Sequence, residues 1–402
     1  MGEHEMSDQF EAIVAREKRL YAPTARRWPL ALARGAGSRV WDLDGNAYFD
    51  LTAGWGVNSI GHCHPRMVSA IHDQCQTLMQ TTNIVYTEAQ LDLAERLDRI
   101  APDPIHRSFF VSSGTEANEG ALKLAHAATG RSRFVAALGS FHGRSLGAIG
   151  MLGQEKHRAR WSAIAREADF VPYGDLAAAE AAIGPQVAAM IVEPIQGEGG
   201  VIVPPDDYLA GLKRACHAAG ALLILDEVQT GIGRTGRWLA LEHSGVVPDI
   251  LTLGKGLGGG MPIAGFMATD AVMDTMQPGD HGGTYAGNLV TCRAADAVLQ
   301  VIDEEGLIER AERLGDQTRA RLERLAKRGT GRVAGVRGQG LLQGLVFEQP
   351  ERAAHLHAAC RERGVLVSLT AERVLRLFPA LNIPESELDQ ALGILEAVVG
   401  SV

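Results

Sequence analysis

Ile250-Leu251-Thr252-Leu253-Gly254-Lys255-Gly256-Leu257-Gly258-Gly259-Gly260 carries an apolar run straight into a glycine-rich segment, with one lysine at the junction. Lysine is scarce in this chain. Lys18, Lys123, Lys156, Lys213 and Lys327 are the others, and none of them ends a buried strand candidate between glycines. An amine in that position is partly desolvated, which lowers its pKa and favours attack on a carbonyl carbon. The glycines admit positive φ and let a bulky planar adduct approach the backbone. Read alone, the stretch equally suits a flexible loop with one surface lysine, so the rest of the chain decides.

On either side of it, from about 88 to 290, helical and strand patterns alternate. Glu88–Ile100, Glu116–Thr129 and Asp207–Ala219 read as helices. Phe109–Val111, Phe134–Ala137, Phe170-Val171, Met190–Val192, Leu222–Leu225 and Ile250–Leu253 read as short buried strands. This alternation predicts an α/β fold, a mostly parallel sheet flanked by helices. Sites in such sheets gather at the C-terminal ends of strands, where Ser112–Thr115, Glu193, Asp226 and Lys255 fall. Upstream, residues 8–20 read as an amphipathic helix. The stretch with Pro23, Arg26, Arg27 and Pro29 reads as irregular. Asp44-Gly45-Asn46 reads as a hairpin between Arg39–Asp42 and Ala47–Asp50, and Pro65 suits a first helical turn. Downstream, Arg293–Lys327 reads as one helix, and Val333–Phe347 as glycine-punctuated strands. A helix over Ala353–Arg363, two strands (Val365–Val367, Val374–Phe378) and a final helix Glu385–Val399 complete a smaller α+β unit.

Composition narrows the function. The 402 residues are 46% hydrophobic and 22% charged, which is ordinary globular usage with length for more than one domain. A net charge of −9 argues against a general nucleic-acid or polyanion binder. Five scattered cysteines with no Cys-x-x-Cys pair argue against a disulfide framework or zinc ribbon and suit the cytoplasm. His62-Cys63-His64 has no second ligand group at metal spacing, so no metal site is expected. Met1–Phe10 is polar and acidic, unlike a signal peptide, and no apolar run is long enough for a bilayer span, so no membrane partner is expected.

Two further stretches carry chemistry. Val111-Ser112-Ser113-Gly114-Thr115-Glu116-Ala117-Asn118-Glu119 runs from strand to helix. Its hydroxyls and first backbone N–H groups make an anion site suited to phosphate. Simple capping by Ser113 or Thr115, with Glu116 in the first turn, accounts for the same residues. Asp226-Glu227-Val228-Gln229 follows the most apolar strand. A carboxylate there is costly without a positive partner, for which a protonated pyridine nitrogen or a structural arginine would serve.

Together these stretches, with Phe141-His142-Gly143-Arg144 and Glu193-Pro194-Ile195-Gln196-Gly197-Glu198, resemble the class III, fold-type I pyridoxal-phosphate aminotransferases. The likeness runs from about residue 30 to the C-terminus and is greatest to the acetylornithine and ornithine aminotransferases. It implies a large domain with a mostly parallel seven-stranded sheet (61–292), a small α+β domain (293–402), and an N-terminal segment (1–60) packing with the small domain. It implies pyridoxal 5′-phosphate as cofactor and an amino donor and 2-oxoglutarate as substrates. Lys255 would bond the cofactor covalently and then move the proton between Cα and C4′. Asp226 would keep the pyridine nitrogen protonated. Val228 and Phe141 would cover the two ring faces, with His142 beside Phe141. Gln229 would reach the phenolic oxygen, and Ser113, Gly114 and Thr115 would hold the phosphate. Thr284, in Gly283-Thr284-Tyr285, resembles the threonine that reaches the phosphate of the neighbouring subunit, which implies a homodimer with shared active sites.

For substrate, the resemblance implies that Arg144 clamps a donor carboxylate with two parallel hydrogen bonds. Arg376 would receive the α-carboxylate of 2-oxoglutarate, with Glu198 as its gate. A structural salt bridge is the plainer account of Glu198 and Arg376. The expected donor is the δ-amine of N-acetylornithine or a close relative. The alternatives are a 4-aminobutyrate or putrescine aminotransferase and an aminomutase needing no 2-oxoglutarate. One departure bears on the donor: Ala25 falls near the position where the family carries a substrate-contacting tyrosine, and Tyr21 lies upstream. Gly231-Ile232-Gly233-Arg234-Thr235-Gly236 matches Gly-x-Gly-x-x-Gly but lacks the later acidic residue of a dinucleotide site. It reads instead as a mobile loop, with Arg234 and Arg237 as ordinary charged positions. His142 reads as an orienting group rather than a base.

Overall fold

A computed structural model describes residues 8–329 and 332–401; the first seven residues of the polar N-terminal stretch lie outside them. A helix spans Asp8–Leu20. Strands β1 (Leu32–Ala36), β2 (Arg39–Asp42) and β3 (Ala47–Asp50) follow as an antiparallel meander. Asp42 accepts the backbone N–H groups of Asp44 and Asn46 and so pins the turn at Gly45, whose φ of 84° suits glycine.

The central sheet is built from β4 (Ile105–Val111), β5 (Arg133–Ala137), β6 (Asp169–Val171), β7 (Val187–Val192), β8 (Leu222–Asp226), β9 (Ile250–Leu253) and β10 (Ala264–Thr269). Their order is β4-β10-β9-β8-β7-β5-β6. β6, β5, β7, β8 and β9 pair in parallel, and β10 is antiparallel to both its neighbours. Six of the seven strands therefore share a direction. The mostly parallel seven-stranded sheet expected from the sequence is present. β10 was missed because its Ala-Gly-Phe-Met-Ala-Thr has no alternation to read; nearly all of it is buried. Every residue of β7 and β9 is buried, and all but Thr252 are apolar, at roughly 1.5–3 kcal/mol for each large aliphatic side chain.

The expected helix over 293–327 is two helices, Leu289–Glu304 and Leu307–Lys327, broken at Gly306 in the left-handed region (φ 62°). Continuous Glu, Arg and Leu content hid a break made by one glycine. The remaining strands are β11 (Val333–Gln339), β12 (Leu342–Phe347), β13 (Val365–Leu366), β14 (Ser368–Thr370) and β15 (Val374–Leu377). β11, β12, β15 and β14 form a second sheet. β13 pairs in parallel with β3, which joins the N-terminal meander to the C-terminal part of the chain.

Candidate active site

β4, β5, β7, β8 and β9 deliver their C-terminal ends to one side of the sheet, and a cavity of about 260 Å³ opens there. It is lined by Gly114 and Thr115 beyond β4, Phe141 to Arg144 beyond β5, Glu193 to Glu198 beyond β7, Asp226 to Thr230 from β8, and Lys255 beyond β9. Asp226 lies opposite Thr252 in the parallel register of β8 and β9, so the carboxylate and the lysine three residues on reach the same space.

Lys255 stands at the start of a short 3₁₀ turn with φ 42°. A side chain in that region carries strain, the kind retained at functional positions. Burial pulls its ammonium pKa down; the nearby Glu198 carboxylate opposes this and Arg376 adds to it. The amine is thereby shifted toward its nucleophilic neutral form.

Asp226 is almost completely buried. Burial alone would raise its pKa, but His142 Nδ1 at 2.7 Å from Oδ2, the Val228 N–H at 3.0 Å from Oδ1 and Asn118 Nδ2 at 2.8 Å hold it below the usual carboxylate value. Burial likewise works against a charged His142, yet its contact with Asp226 wins and raises its pKa. His142 is thus held against Asp226, and its backbone carbonyl also accepts from Asn118. Asn118 is in turn fixed by the Thr252 hydroxyl at 2.8 Å. Glu193, fully inside the cavity wall, accepts the Phe141 N–H at 3.2 Å, and burial pushes it up to about 7. Glu193, placed at a strand end by the sequence but given no role there, lines the cavity, as do Asn118, Gly143 and Ile195 from within the quoted motifs and Thr230, which follows one of them.

The helix Gly114–Thr129 points its N-terminus at the cavity. Ser113 lies outside the lining: its hydroxyl donates to the Glu116 carboxylate at 2.9 Å and makes no capping bond to the helix backbone. Thr115 accepts the N–H groups of Arg144 and Ser145, each at 3.2 Å. The surroundings leave no room for a Cβ at two glycines. At Gly114 it would lie 2.7 Å from Val228 Cγ1, and at Gly143 2.2 Å from Thr115 Oγ1. A strand-end acid, a strand-end lysine, an open helix N-terminus and close-packed glycines fit a planar ring with an anionic tail.

Arg144 is exposed at the mouth, its guanidinium 5.5 Å from the Phe141 ring centroid. Arg376, in β15, is 1% exposed and pairs with Glu198 at 2.6 Å while donating to Gln229 Oε1 at 3.0 Å. Burial works to raise the Glu198 pKa, but Arg376 together with Lys255 and Gln229 leaves it lowered. Arg376 Nε is buried without a partner. Thr284 is exposed and outside the cavity, its carbonyl accepting from Gln80.

The segment 231–236 is not the loose loop expected of it. All six residues are buried, and Arg234, taken for an ordinary charged position, is 3% exposed. Its Nη1 donates to the carbonyls of Pro379 at 2.6 Å and Leu341 at 3.0 Å. Burial lowers its pKa to about 9, which leaves it a cation at neutral pH. The glycines that suggested mobility are there for close packing: a Cβ at Gly236 would lie 2.7 Å from Glu312 Cβ. Arg237 is half-buried and pairs with Glu312 at 2.8 Å. His62, read as a poor metal candidate, bonds Asp50 at 2.8 Å, and Cys63 is exposed. Among the described residues no His, Cys, Asp and Glu cluster has the arrangement of a metal site.

The aminotransferase class-III family model matches residues 20–399. An acetylornithine aminotransferase of Methanothermobacter thermautotrophicus is 43% identical over 392 residues, covering 98% of this chain and 99% of its own. One from Mycobacterium leprae is 45% identical over 379 residues, 93% of each chain. The ornithine aminotransferase of Toxoplasma gondii, a structure with partial occupancy of PLP at its active site, superposes with a TM-score of 0.93. It is 33% identical, over 98% of this chain and 94% of that one. The acetylornithine aminotransferase of Elizabethkingia anophelis gives 0.86 and 32% identity over 98% and 99%. The chain belongs to the class III aminotransferase family and is a transaminase.

Proposed function

We propose that the cavity holds pyridoxal 5′-phosphate and that the enzyme moves the δ-amino group of N-acetylornithine, or a close relative, to 2-oxoglutarate, giving the semialdehyde and glutamate. The observation that carries this reading is the convergence of Lys255, Asp226 and the N-terminus of the Gly114–Thr129 helix on one cavity. When bound, the cofactor supplies a carbonyl carbon for the amine and a cationic ring that draws electrons from the neighbouring C–H bond. Asp226, kept anionic by His142, Asn118 and the Val228 N–H, would face the ring nitrogen. Val228 and Phe141 would enclose the ring, His142 and Gln229 would border it, and Gly114 and Thr115 would take the phosphate. Ser113, its hydroxyl given to Glu116, would act only through the backbone leading into that helix. Lys255 Nζ, with its lowered pKa, would take the proton from the donor carbon and return it on the other side of the exchange.

Arg144 at the mouth would take the donor's carboxylate, and Arg376 that of 2-oxoglutarate. The unpartnered Nε of Arg376, beside an Nη1 already held by Gln229, suits a carboxylate binding two nitrogens at once. Glu198 would occupy Arg376 until the keto acid arrives.

A homodimer is part of the proposal. Ile84 is 89% exposed and Tyr86 fully so, with Met79, Leu91 and Tyr285 also exposed. Such a patch marks an interface. Asn288 Nδ2 bonds Met79 O at 3.1 Å and Gln80 Oε1 at 2.9 Å, tying this patch to the segment that carries Thr284. Thr284 would then serve the partner's phosphate. The chain would divide into a cofactor domain (61–292) and a small domain (293–402) to which residues 1–60 attach, in keeping with the β3–β13 pairing. Five free cysteines and the absence, among the described residues, of a helix able to cross a membrane suit a cytoplasmic enzyme.

The test is an amine-donor panel with 2-oxoglutarate for wild type and Arg144→Ala. The variant should lose about tenfold or more in kcat/KM for N-acetylornithine and much less for putrescine, which has no carboxylate. Equal losses on both donors would remove Arg144 as the clamp, and preference for 4-aminobutyrate or putrescine in the wild type would reassign the donor.

A further inference from the structure

Arg234 is a buried cation with which no carboxylate among the described residues pairs; its side-chain partners are two main-chain carbonyls. A guanidinium buried without an anion is costly, so its place calls for a reason beyond filling space. Its two acceptors are informative. Pro379 O lies three residues past Arg376, and Leu341 O lies at the entry to β12. β12 and β15 are hydrogen-bonded neighbours, with Gly344 opposite Arg376. One Nη1 therefore fastens both chain ends that flank the Arg376 position. The main chain adds a third tie, Leu341 N–H to Arg234 O at 3.0 Å. Between Arg376 and Pro379 stands Phe378, fully buried, with the Arg376 guanidinium 4.3 Å from its ring centroid.

The same loop reaches Arg376 from its other end, through Gln229. Its start is anchored by Glu227, which accepts from Thr230 Oγ1 at 2.7 Å, Ala240 N at 2.8 Å and Leu241 N at 2.7 Å. Residues 226–241 thus form a brace that begins at Asp226 and closes on the backbone around Arg376. A side chain that exchanges Glu198 for a substrate carboxylate needs its backbone held still while its partner changes, since misplacement by an ångström is costly.

We propose that Arg234 is a positioning residue for Arg376, locking β15 and the entry to β12 onto the Asp226 loop so that Arg376 is preset for the keto acid's carboxylate. The proposal rests on the reading of Arg376 given above. Charge-assisted bonds to two carbonyls from one nitrogen are a geometry that guanidinium supplies and an ammonium reproduces only in part.

The test compares holoenzymes of wild type, Arg234→Lys, Arg234→Met and Arg376→Ala. KM for 2-oxoglutarate and for the amine donor, and the melting temperature, are measured for each. Arg234→Met should raise KM for 2-oxoglutarate about tenfold and change that for the donor less than about twofold, with Arg234→Lys in between. If Arg234→Met does not fold, Arg234→Lys decides alone, with a selective rise of about threefold expected. A crystal structure of Arg234→Lys should show Pro379 and Arg376 displaced and Asp226 and Lys255 in place. An unchanged KM for 2-oxoglutarate, or equal changes for both substrates alongside a lower melting temperature, overturns the proposal and leaves Arg234 a packing residue. If Arg376→Ala itself leaves that KM unchanged, the reading of Arg376 fails and takes this proposal with it. A normal Arg376→Ala effect beside a silent Arg234 overturns the proposal alone.

Discussion

Two adjacent acids, Asp226 and Glu227, meet the same burial with opposite outcomes. Asp226 has His142 against it and stays below the ordinary carboxylate range. Glu227 has only a hydroxyl and two backbone N–H groups, and burial pushes it up to about 7. A raised carboxyl pKa stabilises the fold fully below the unfolded value near 4.5, and that contribution is lost as pH rises through about 7. Wild type should therefore lose stability between about pH 4.5 and 7 relative to Glu227→Gln, by up to roughly 3 kcal/mol if the whole shift is felt. Melting temperature against pH for the two proteins checks this, and parallel curves would refute it. Glu193 is also raised to about 7, so part of the slope remains in the variant.

At the scale of the element, the helix Gly114–Thr129 brings an N-terminus without a side-chain cap to the proposed phosphate site. Glu116 accepts from the Ser112 N–H and the Ser113 hydroxyl, so Ser113 makes no side-chain cap and the first N–H groups of the helix are left facing the cavity. Gly114 is required because a Cβ there would strike Val228, the proposed ring-face residue. Gly114→Ala should push Val228 inward at about 1–3 kcal/mol, read as a weakening of cofactor binding by roughly tenfold or more. Titration of apoenzyme with pyridoxal 5′-phosphate measures it; unchanged affinity would mean the cradle is looser than its geometry. The Gly231–Gly236 stretch carries the opposite lesson. Its glycine pattern reads as mobility, whereas tertiary packing makes it a buried brace.

For the whole molecule, the proposed dimer is tested at the exposed apolar patch around Ile84 and Tyr86. Ile84→Asp with Tyr86→Asp should convert a dimer to monomer in sedimentation velocity and abolish turnover together, because Thr284 of each chain would serve the other. A fully active monomer would show that each site is complete by itself.

The local order of the chain was legible from residues alone. Apolar runs of strand length alternating with amphipathic helices dictated the parallel sheet, and the strand ends dictated where Gly114, Asp226 and Lys255 would meet. Side-chain period and strand-to-helix turns are local properties, so a sequence carries them openly. β10 and the break at Gly306 were hidden for the same reason: small buried residues and one glycine leave little pattern. Only the tertiary structure decided the long-range matters. It paired β3 with β13 across more than three hundred residues and turned Ser113 away from the cavity. It also buried Arg234 against carbonyls more than a hundred residues away in the chain. Burial and partner identity set the charge and role of such groups, and neither is written in spacing along the chain.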